Sequence, residues 1–198
     1  MTAGPGAPSG ATLARAQELL RRRRPAIVAI DGPSGAGKTT LAEALASTWR
    51  AAPVLVQLDR VYRGWEGLDA GATELRRHLL PALRSGRPGR IQGWDWAASR
   101  VAPASPVLPG RPLIVEGCGA FAAVSGLSGV ARILVEAPLG DRRTRALRRD
   151  GGAYDPYWAL WETQWRRYLA KHRWEAVPDL VVRSRPDVLA AEGPAGLR

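Results

Sequence analysis

The sequence predicts an α/β fold in which a parallel β-sheet lies between two layers of helices. Short apolar runs alternate with segments of helical spacing along most of the 198 residues, and this alternation is typical of a parallel sheet covered on both faces. A glycine-rich turn separates the first apolar run from the next helix, so we expect ligands at the carboxyl ends of the strands. We predict one domain over residues 25–185, a flexible leader and helix over residues 1–24, and a loose tail over residues 186–198.

Five apolar runs are the predicted strands, and the segments between them carry the predicted helices. The strands are Ala26–Ile30, Pro53–Leu58, Leu113–Val115, Ala131–Val135 and Leu180–Val182. The helices are Leu13–Arg24, Lys38–Arg50, Thr73–Ser85 with a kink at Pro81, Ala120–Leu127, Asp141–Arg149 and Pro156–Arg173. Gly86–Gly110 is rich in glycine and proline, and we expect it to be irregular apart from a short strand near Ile91.

Composition indicates a globular protein, with 45% hydrophobic and 24% charged residues. No apolar stretch approaches the roughly 20 residues that a membrane-spanning helix needs, so we expect no membrane partner. The single cysteine, Cys118, cannot form an internal disulfide, which favours a reducing compartment and predicts a cytoplasmic protein. The oligomeric state stays open, and a homo-oligomer is one alternative.

The net charge of +11 is compatible with a nucleic-acid partner. Among the 29 basic residues, however, only Lys38 and Lys171 are lysines, and such an arginine excess can come from GC-rich coding. The arginines are also spread along the chain, apart from Arg21–Arg24 and Arg142–Arg149. We therefore expect a small polyanion such as ATP rather than polymeric nucleic acid. A nucleotide-switched module that binds nucleic acid or protein is the alternative from another functional class.

The strongest functional signal is the glycine-rich turn Gly32–Thr39. It matches the pattern G-x-x-x-x-G-K-[ST] of a phosphate-binding loop (P-loop) in full, between a predicted strand and a predicted helix. The glycines let backbone amides point at phosphate oxygens, Lys38 can reach the β- and γ-phosphates, and the Thr39 hydroxyl can bind magnesium. We therefore predict ATP and Mg²⁺ as cofactors. The predicted nucleotide-binding residues are Gly32, Pro33, Ser34, Gly35, Ala36, Gly37, Lys38, Thr39 and Thr40.

Two acidic residues at strand ends complete the predicted site. Glu116 follows the third predicted strand and is a predicted Mg²⁺ ligand, directly or through water, together with Thr39. Asp59 follows the second predicted strand, where its carboxylate can accept the proton of an attacking hydroxyl as a catalytic base. Tyr62 and Trp65 follow Asp59 closely in the sequence, and we expect their rings to stack on a flat ligand bound beside it. A P-loop with an acceptor site indicates a kinase, and an ATPase without an acceptor is the alternative.

Four segments follow one another in an order that carries a family resemblance. They are Gly32–Thr39, Asp59-Arg60-Val61-Tyr62, Trp94-Asp95-Trp96 with Arg100, and Leu113-Ile114-Val115-Glu116-Gly117. In order and approximate spacing, over about Ala26–Val182, they resemble the uridine–cytidine kinases and the broader uridine kinase-like nucleoside kinases. The resemblance implies a P-loop NTPase three-layer sandwich with a helical, arginine-rich lid. It also implies transfer of the γ-phosphate of Mg-ATP to a nucleoside hydroxyl.

The resemblance implies roles for individual residues. Asp59 corresponds to the catalytic base of that family, and Lys38 with the lid arginines corresponds to the groups that act on the transferred phosphate. The implied acceptor-binding residues are Tyr62, Asp69, Trp94, Asp95 and Arg100, with Asp69 on the ribose hydroxyls, and the implied lid residues are Arg145, Arg148 and Arg149.

Two features depart from the family pattern. The stretch Ala97–Arg100 lacks the histidine with which family members read the pyrimidine edge, so a kinase of another small alcohol, such as a vitamin precursor or an antibiotic, stays open. The region after the predicted lid is rich in tryptophan. Because Trp158, Trp161, Trp165 and Trp174 follow helical spacing in the main, we predict that they pack in the core.

Overall fold

A computed structural model describes residues 8–172 and 177–184 of the chain. The strands are β1 (Ile27–Asp31), β2 (Val54–Gln57), β3 (Gly89–Asp95), β4 (Arg100–Val107), β5 (Leu113–Glu116), β6 (Val130–Glu136) and β7 (Leu180–Arg183). The helices are α1 (Gly10–Arg23), α2 (Lys38–Ala46), α3 (Leu68–Glu74), α4 (Leu80–Arg84), α5 (Ala120–Ala123), α6 (Leu139–Arg149) and α7 (Trp158–His172). Within these residues, no helix combines the length and the apolar character that a membrane span requires.

Five strands form a parallel sheet in the order β2-β5-β1-β6-β7, which confirms the predicted sheet. Strand β1 lies at its centre between β5 and β6, and all five of its residues are buried. A continuous apolar strand is what a sheet covered on both faces requires. The turn that follows β1 therefore emerges at the middle of the sheet edge where the strands end, with β5 and β6 on either side.

The side chains of β1 alternate between two cores. Ile27 and Ala29 pack into the core that includes residues of α3, α5 and α7. Val28 and Ile30 pack into the other core, with residues of α1 and α2. Because successive side chains of a strand point to opposite faces, the two cores lie on opposite faces of the sheet. The three-layer arrangement agrees with the prediction.

A continuous helical segment contains α3, a π-helical turn over Leu75–Leu79, and α4. It begins five residues before the predicted helix Thr73–Ser85. A π turn ends two residues before Pro81, and Pro81 itself lies in the first turn of α4. A proline has no N–H and its ring crowds the carbonyl one turn earlier, and the wider π spacing accommodates this.

The short strand predicted near Ile91 is confirmed as β3, but the irregular structure predicted for the rest of Gly86–Gly110 was wrong, because β4 pairs with β3 in an antiparallel hairpin. Its glycines and prolines favour an irregular structure when they are considered locally. A two-stranded ribbon has a free edge on each strand, however, and tolerates prolines that would disrupt a central strand. Asp95 stabilises the hairpin turn by accepting a hydrogen bond of 3.0 Å from the backbone N–H of Ala98.

The ends of several elements differ from the prediction. Helix α1 begins at Gly10, where the Ser9 side chain accepts a hydrogen bond from the Thr12 backbone, so it starts inside the predicted leader. Helix α2 ends at Ala46, four residues before the predicted end. Residues 1–7 of the leader, Trp174 and the tail over residues 186–198 lie outside the described residues.

Candidate functional site

The P-loop occupies the turn between β1 and α2, and two of its glycines are required by close contacts. Gly32 has φ 147° and Gly35 has φ 75°, both in the region that L-residues rarely adopt. A Cβ atom on Gly32 would overlap the backbone carbonyl of Val135, and one on Gly35 would overlap the carbonyl of Arg142. The loop is thus pressed against the end of β6 and against α6.

Lys38 and Thr39, at the end of this loop, are the first two residues of α2. The Lys38 side chain is buried, and its Nζ donates a hydrogen bond of 2.9 Å to the Pro33 carbonyl. The same Nζ lies 3.7 Å from Sγ of Cys118. The Thr39 hydroxyl donates a hydrogen bond of 2.9 Å to Oε1 of Glu116. The predicted P-loop lysine, hydroxyl and carboxylate are therefore brought together.

Glu116 ends β5 and is almost completely buried. Burial raises the pKa of its carboxyl group, while the positive charge of Lys38 and hydrogen bonds from Thr39 and Gln57 lower it, and the negative charge of Asp59 raises it further. Burial therefore outweighs the stabilising contacts. A divalent cation beside this carboxylate would favour its charged form.

A cavity of about 710 Å³ opens above the P-loop at the carboxyl ends of the strands. Its volume lies in the range of small-molecule sites. Of the predicted site residues, those that line it are Ser34, Gly35, Gly37, Lys38, Thr39, Thr40, Asp59, Tyr62, Glu116, Arg145 and Arg149. It is also lined by Trp65, Trp96, Ala97, Gly117, Cys118, Ala146, Asp150, Ala153, Tyr154 and Trp161.

Asp59 lies in a 3₁₀ turn over Leu58–Arg60, immediately after β2. This turn is held by Trp96, whose indole Nε1 donates a hydrogen bond of 2.9 Å to the Asp59 carbonyl. Asp59 lines the cavity together with Tyr62 and Glu116, and after burial its negative charge is a smaller cause of the raised pKa of both groups. Asp59 thus lines the cavity that also contains Lys38.

Tyr62 is buried, with only 2% of its surface exposed. Its hydroxyl donates a hydrogen bond of 2.7 Å to the carbonyl of Cys118, and its ring meets Trp161 edge-on with ring centroids 4.9 Å apart. Burial is the main cause that holds its pKa well above the ordinary value. Tyr62 therefore contributes ring surface to the cavity, while its hydroxyl is hydrogen-bonded to the Cys118 carbonyl.

Four residues to which the family resemblance gave acceptor-binding roles do not line the cavity. Asp69 lies in the first turn of α3 with its side chain 58% exposed, and it pairs with Nζ of Lys171 at 3.2 Å. Trp94, Asp95 and Arg100 lie on the hairpin, where Asp95 and Arg100 face each other across the two strands. These four side chains therefore do not border the cavity that Asp59 lines.

The predicted lid arginines lie on α6. Arg145 donates hydrogen bonds to the Ser184 hydroxyl at 2.9 Å and to the Asp141 carbonyl at 3.3 Å. Its Nη2 is buried and has no hydrogen-bond acceptor among the described residues. Arg149 forms two hydrogen bonds of 2.8 Å with the Asp150 carboxylate, and these are the main cause of its raised pKa. Arg148 is exposed and does not line the cavity.

Sequence reasoning missed Asp31, the last residue of β1. Its buried carboxylate accepts hydrogen bonds from the backbone N–H of Gly32, Gly119 and Phe121 at 2.7 to 2.9 Å and from the Tyr168 hydroxyl at 2.6 Å. Burial raises its pKa against the effect of these four bonds. The sequence does contain a signal for Asp31, since it is an acidic residue at the end of an apolar strand, directly before the P-loop. This position indicates a carboxylate that accepts hydrogen bonds from the neighbouring backbone.

Sequence reasoning also missed two aromatic residues that line the cavity, Tyr154 and Trp161. Both are buried, and Tyr154 lines the cavity together with Ser34 of the P-loop. Trp158, Trp161 and Trp165 are buried, which confirms the predicted core packing of these three. Helical spacing identifies a buried face, but it does not show which member of that face borders a cavity.

No protein family defined by sequence matches the chain, and no curated protein sequence matches it. Among solved structures, the chain is similar to a possible uridine kinase from Bacillus stearothermophilus, with 16% sequence identity, a TM-score of 0.50, and coverage of 85% of this chain and 99% of that chain. It is also similar to an uncharacterized protein from Eubacterium ventriosum, with 12% identity, a TM-score of 0.44, and coverage of 79% and 86%. The first similarity shows the fold alone, an α/β fold with a five-stranded parallel sheet.

Proposed function

We propose that the chain is a kinase that transfers the γ-phosphate of Mg-ATP to the hydroxyl of a small molecule. One observation carries the proposal: a single cavity is lined both by Lys38 of the P-loop and by Asp59. Binding of nucleotide alone requires only the P-loop. A carboxylate in the same cavity offers a proton acceptor for a second substrate beside the phosphates.

The residues around the P-loop fit a triphosphate. Gly32 and Gly35 allow the backbone to form a concave loop, and Lys38 supplies a buried positive charge. Nη2 of Arg145, buried and without an acceptor among the described residues, is a donor suited to a phosphate oxygen. These groups support nucleotide binding at this end of the cavity.

Thr39 and Glu116 are the residues that would hold Mg²⁺. In the described part of the chain, no group of three or more His, Cys, Asp and Glu side chains could hold a metal ion. That arrangement suits magnesium, which commonly takes one or two protein ligands together with phosphate oxygens and water. When bound, the ion supplies charge neutralisation at the β- and γ-phosphates.

The chemical step assigns one role to each group. Asp59 accepts the proton of the acceptor hydroxyl as its oxygen attacks the γ-phosphorus. Lys38 and Arg145 stabilise the negative charge on the transferred group, since fixed donors in a cavity shielded from water act strongly on developing charge. The proposal does not depend on Arg149, whose guanidinium is already paired with Asp150.

A nucleoside is the acceptor that the sequence resemblance implies, and the similar structure from Bacillus stearothermophilus is described as a possible uridine kinase. Tyr62 supports this alternative, because it lines the cavity. Asp69, Asp95 and Arg100 do not support it, since they lie outside. We therefore propose a small alcohol as the acceptor and retain the nucleoside as an alternative within the same test.

The test is ADP release from Mg-ATP in the presence of a panel of nucleosides and other small alcohols. We expect one class to stimulate release, and Asp59→Asn to reduce that stimulated rate by roughly 100- to 10,000-fold, the usual contribution of a general base. Asp155→Asn changes an exposed aspartate that does not line the cavity and serves as the matched control. Stimulation that survives Asp59→Asn would rule out Asp59 as the base.

A further inference from the structure

The part of the cavity next to Asp59 is walled by aromatic rings. This aromatic wall consists of Tyr62, Trp65, Trp96, Tyr154 and Trp161, all of which line the cavity. Trp65 stacks on Tyr154 with ring centroids 5.1 Å apart and meets Trp96 at 4.6 Å in a tilted arrangement. Tyr62 and Trp161 form the edge-on pair described above. The rings thus form two contacting groups on the lining of one cavity, Trp65 with Trp96 and Tyr154, and Tyr62 with Trp161.

Two rings of the wall use their polar atoms within the protein on the side of Asp59. The Tyr62 hydroxyl donates to the carbonyl of Cys118, and the Trp96 indole donates to the backbone carbonyl of Asp59. Trp has a single side-chain donor, and Tyr has a single hydroxyl. These two residues therefore present mainly ring carbon to a ligand.

Two further rings of the wall, Tyr154 and Trp161, come from the segment before α7 and from α7 itself, and both residues are buried. Ala97 also lines the cavity and contributes only a methyl group. Two of the five rings thus have their polar atoms engaged within the protein, and the wall presents mostly ring carbon to the cavity.

Two acidic side chains to which the family resemblance gave acceptor-binding roles do not line the cavity. Asp69 is paired with Lys171 outside the cavity, and Asp95 supports the hairpin turn. A ribose places hydroxyl groups against its site, and each of them loses hydration when it is covered by apolar rings without a partner. A site built in this way favours a ligand with few polar groups.

We propose that the acceptor is a largely apolar alcohol, with an aromatic or alicyclic body against the aromatic wall and one hydroxyl at Asp59. This inference rests on the proposed function and names its substrate class. The acceptor oxygen forms a bond to the γ-phosphorus, and the bond from that phosphorus to the β–γ bridging oxygen breaks. The hydroxyl proton passes to Asp59, and the products are a phosphate monoester and ADP. Because the cavity of about 710 Å³ also takes the phosphates, the acceptor body is limited to one or two rings.

The experiment measures binding and turnover separately on the full chain. Saturation-transfer NMR and equilibrium dialysis, without nucleotide and with Mg-ADP, compare benzyl alcohol, cyclohexylmethanol and naphthylmethanol with uridine, cytidine and ribose. We expect the apolar alcohols to bind at least about tenfold more tightly than the polar compounds, the scale on which apolar pockets discriminate. The same compounds are then tested for stimulation of ADP release from Mg-ATP.

Two neighbouring alanines provide a matched pair of variants. Ala97→Asp places a carboxylate at the aromatic wall, and we expect it to weaken naphthylmethanol binding about tenfold or more. Ala98→Asp adds the same charge at the next position of the hairpin turn, which is exposed and does not line the cavity. We expect the Ala98 variant to bind within about twofold of the unmodified chain, as is usual for an exposed surface change.

The outcomes separate this inference from the proposed function. Uridine binding that is tighter than that of every apolar alcohol and is weakened by Asp69→Asn overturns the inference, as does the absence of saturable binding by the apolar alcohols. Phosphorylation of a polar alcohol alone leaves the kinase proposal intact and overturns the apolar acceptor. Saturable binding of apolar alcohols without any phosphoryl transfer supports the ligand class and overturns the kinase proposal.

Discussion

The hydroxyl of Thr39 donates a hydrogen bond of 2.9 Å to the carboxylate of Glu116, and this bond joins the first turn of α2 to the end of β5. Two oxygen groups of the kind that magnesium prefers are thereby held together at the P-loop. The buried position of Glu116 raises the pKa of its carboxyl group, and Lys38 opposes that shift. The geometry of this pair can be tested through the metal dependence of the proposed reaction.

Glu116→Gln is expected to raise the Mg²⁺ concentration needed for half-maximal ADP release by about 10- to 100-fold, the usual loss when a group that supports a metal site is removed. The measurement is a Mg²⁺ titration at saturating ATP. Glu43→Gln, an exposed change on α2, is the control. An unchanged Mg²⁺ requirement in the Glu116 variant would show that this carboxylate does not support the metal.

Gly35→Ala is expected to destabilise the chain and to weaken nucleotide binding, because the new Cβ would overlap the Arg142 carbonyl and force the P-loop or α6 to move. Gly126→Ala is a close control, since Gly126 has the same φ of 75° but nothing within 4 Å of its Cβ position. The control retains the backbone strain, which is of order 1–3 kcal/mol, without the overlap. Urea unfolding and titration with an ATP analogue measure both effects, and equal losses in the two variants would refute the close contact.

Arg142→Met is expected to lower the free energy of unfolding by about 3–5 kcal/mol, because it removes the buried partner of Glu162 and leaves that carboxylate only the exposed Arg166, at 3.8 Å. The two side chains form paired hydrogen bonds of 2.6 and 2.8 Å, and both are largely buried. Arg183→Met removes the exposed ion pair with Glu136 and should cost less than about 1 kcal/mol. Chemical denaturation compares the two variants, and similar losses would contradict the importance of burial.

Asp31→Asn is expected to lower the free energy of unfolding by about 1–3 kcal/mol, since an amide cannot accept all four hydrogen bonds made to the carboxylate. The pKa of Asp31 is raised above 3.8 in the folded chain, mainly by burial. The folded chain therefore binds this proton more tightly than the unfolded chain. Its contribution to stability is full below pH 3.8 and is lost as the pH rises through the folded pKa.

The difference in stability between the unmodified chain and the Asp31→Asn variant should accordingly narrow as the pH rises. Urea unfolding of both proteins between about pH 4 and pH 8 measures it. A difference that widens with pH would mean that the hydrogen bonds from Gly32, Gly119, Phe121 and Tyr168 outweigh burial and lower the pKa of Asp31.

The sequence was sufficient to predict the sheet and the phosphate end of the cavity. Both depend on local patterns: apolar runs mark the strands, and the glycine spacing with Lys38 and Thr39 marks the loop. Asp59 and Glu116 were predicted correctly to lie near the loop, because carboxyl ends of parallel strands meet at one edge of a sheet. Their chemical roles stay predictions.

The acceptor end could not be predicted in the same way, because it depends on contacts between distant segments. Asp69 forms an ion pair with Lys171, which is 102 residues away in sequence, and no local pattern indicates that pairing. Tyr154 and Ser34 line the same cavity although they are far apart in the sequence, and no local pattern around Tyr154 indicates this. The hairpin was missed for a related reason, since its two strands stabilise each other and neither has a strong pattern alone.

The π turn over Leu75–Leu79 sets the orientation of α4 about the helix axis. It thereby also sets the direction in which the chain leaves α4 for the hairpin. Each residue of an α-helix advances the chain by about 100° around the axis, so deletion of one residue within the turn would rotate α4 by that angle. Leu79 packs against Gly89 at the start of β3, and the same hairpin delivers Trp96 to the Asp59 carbonyl. The one extra residue of the π turn thus helps to set where the hairpin places Trp96 at the cavity.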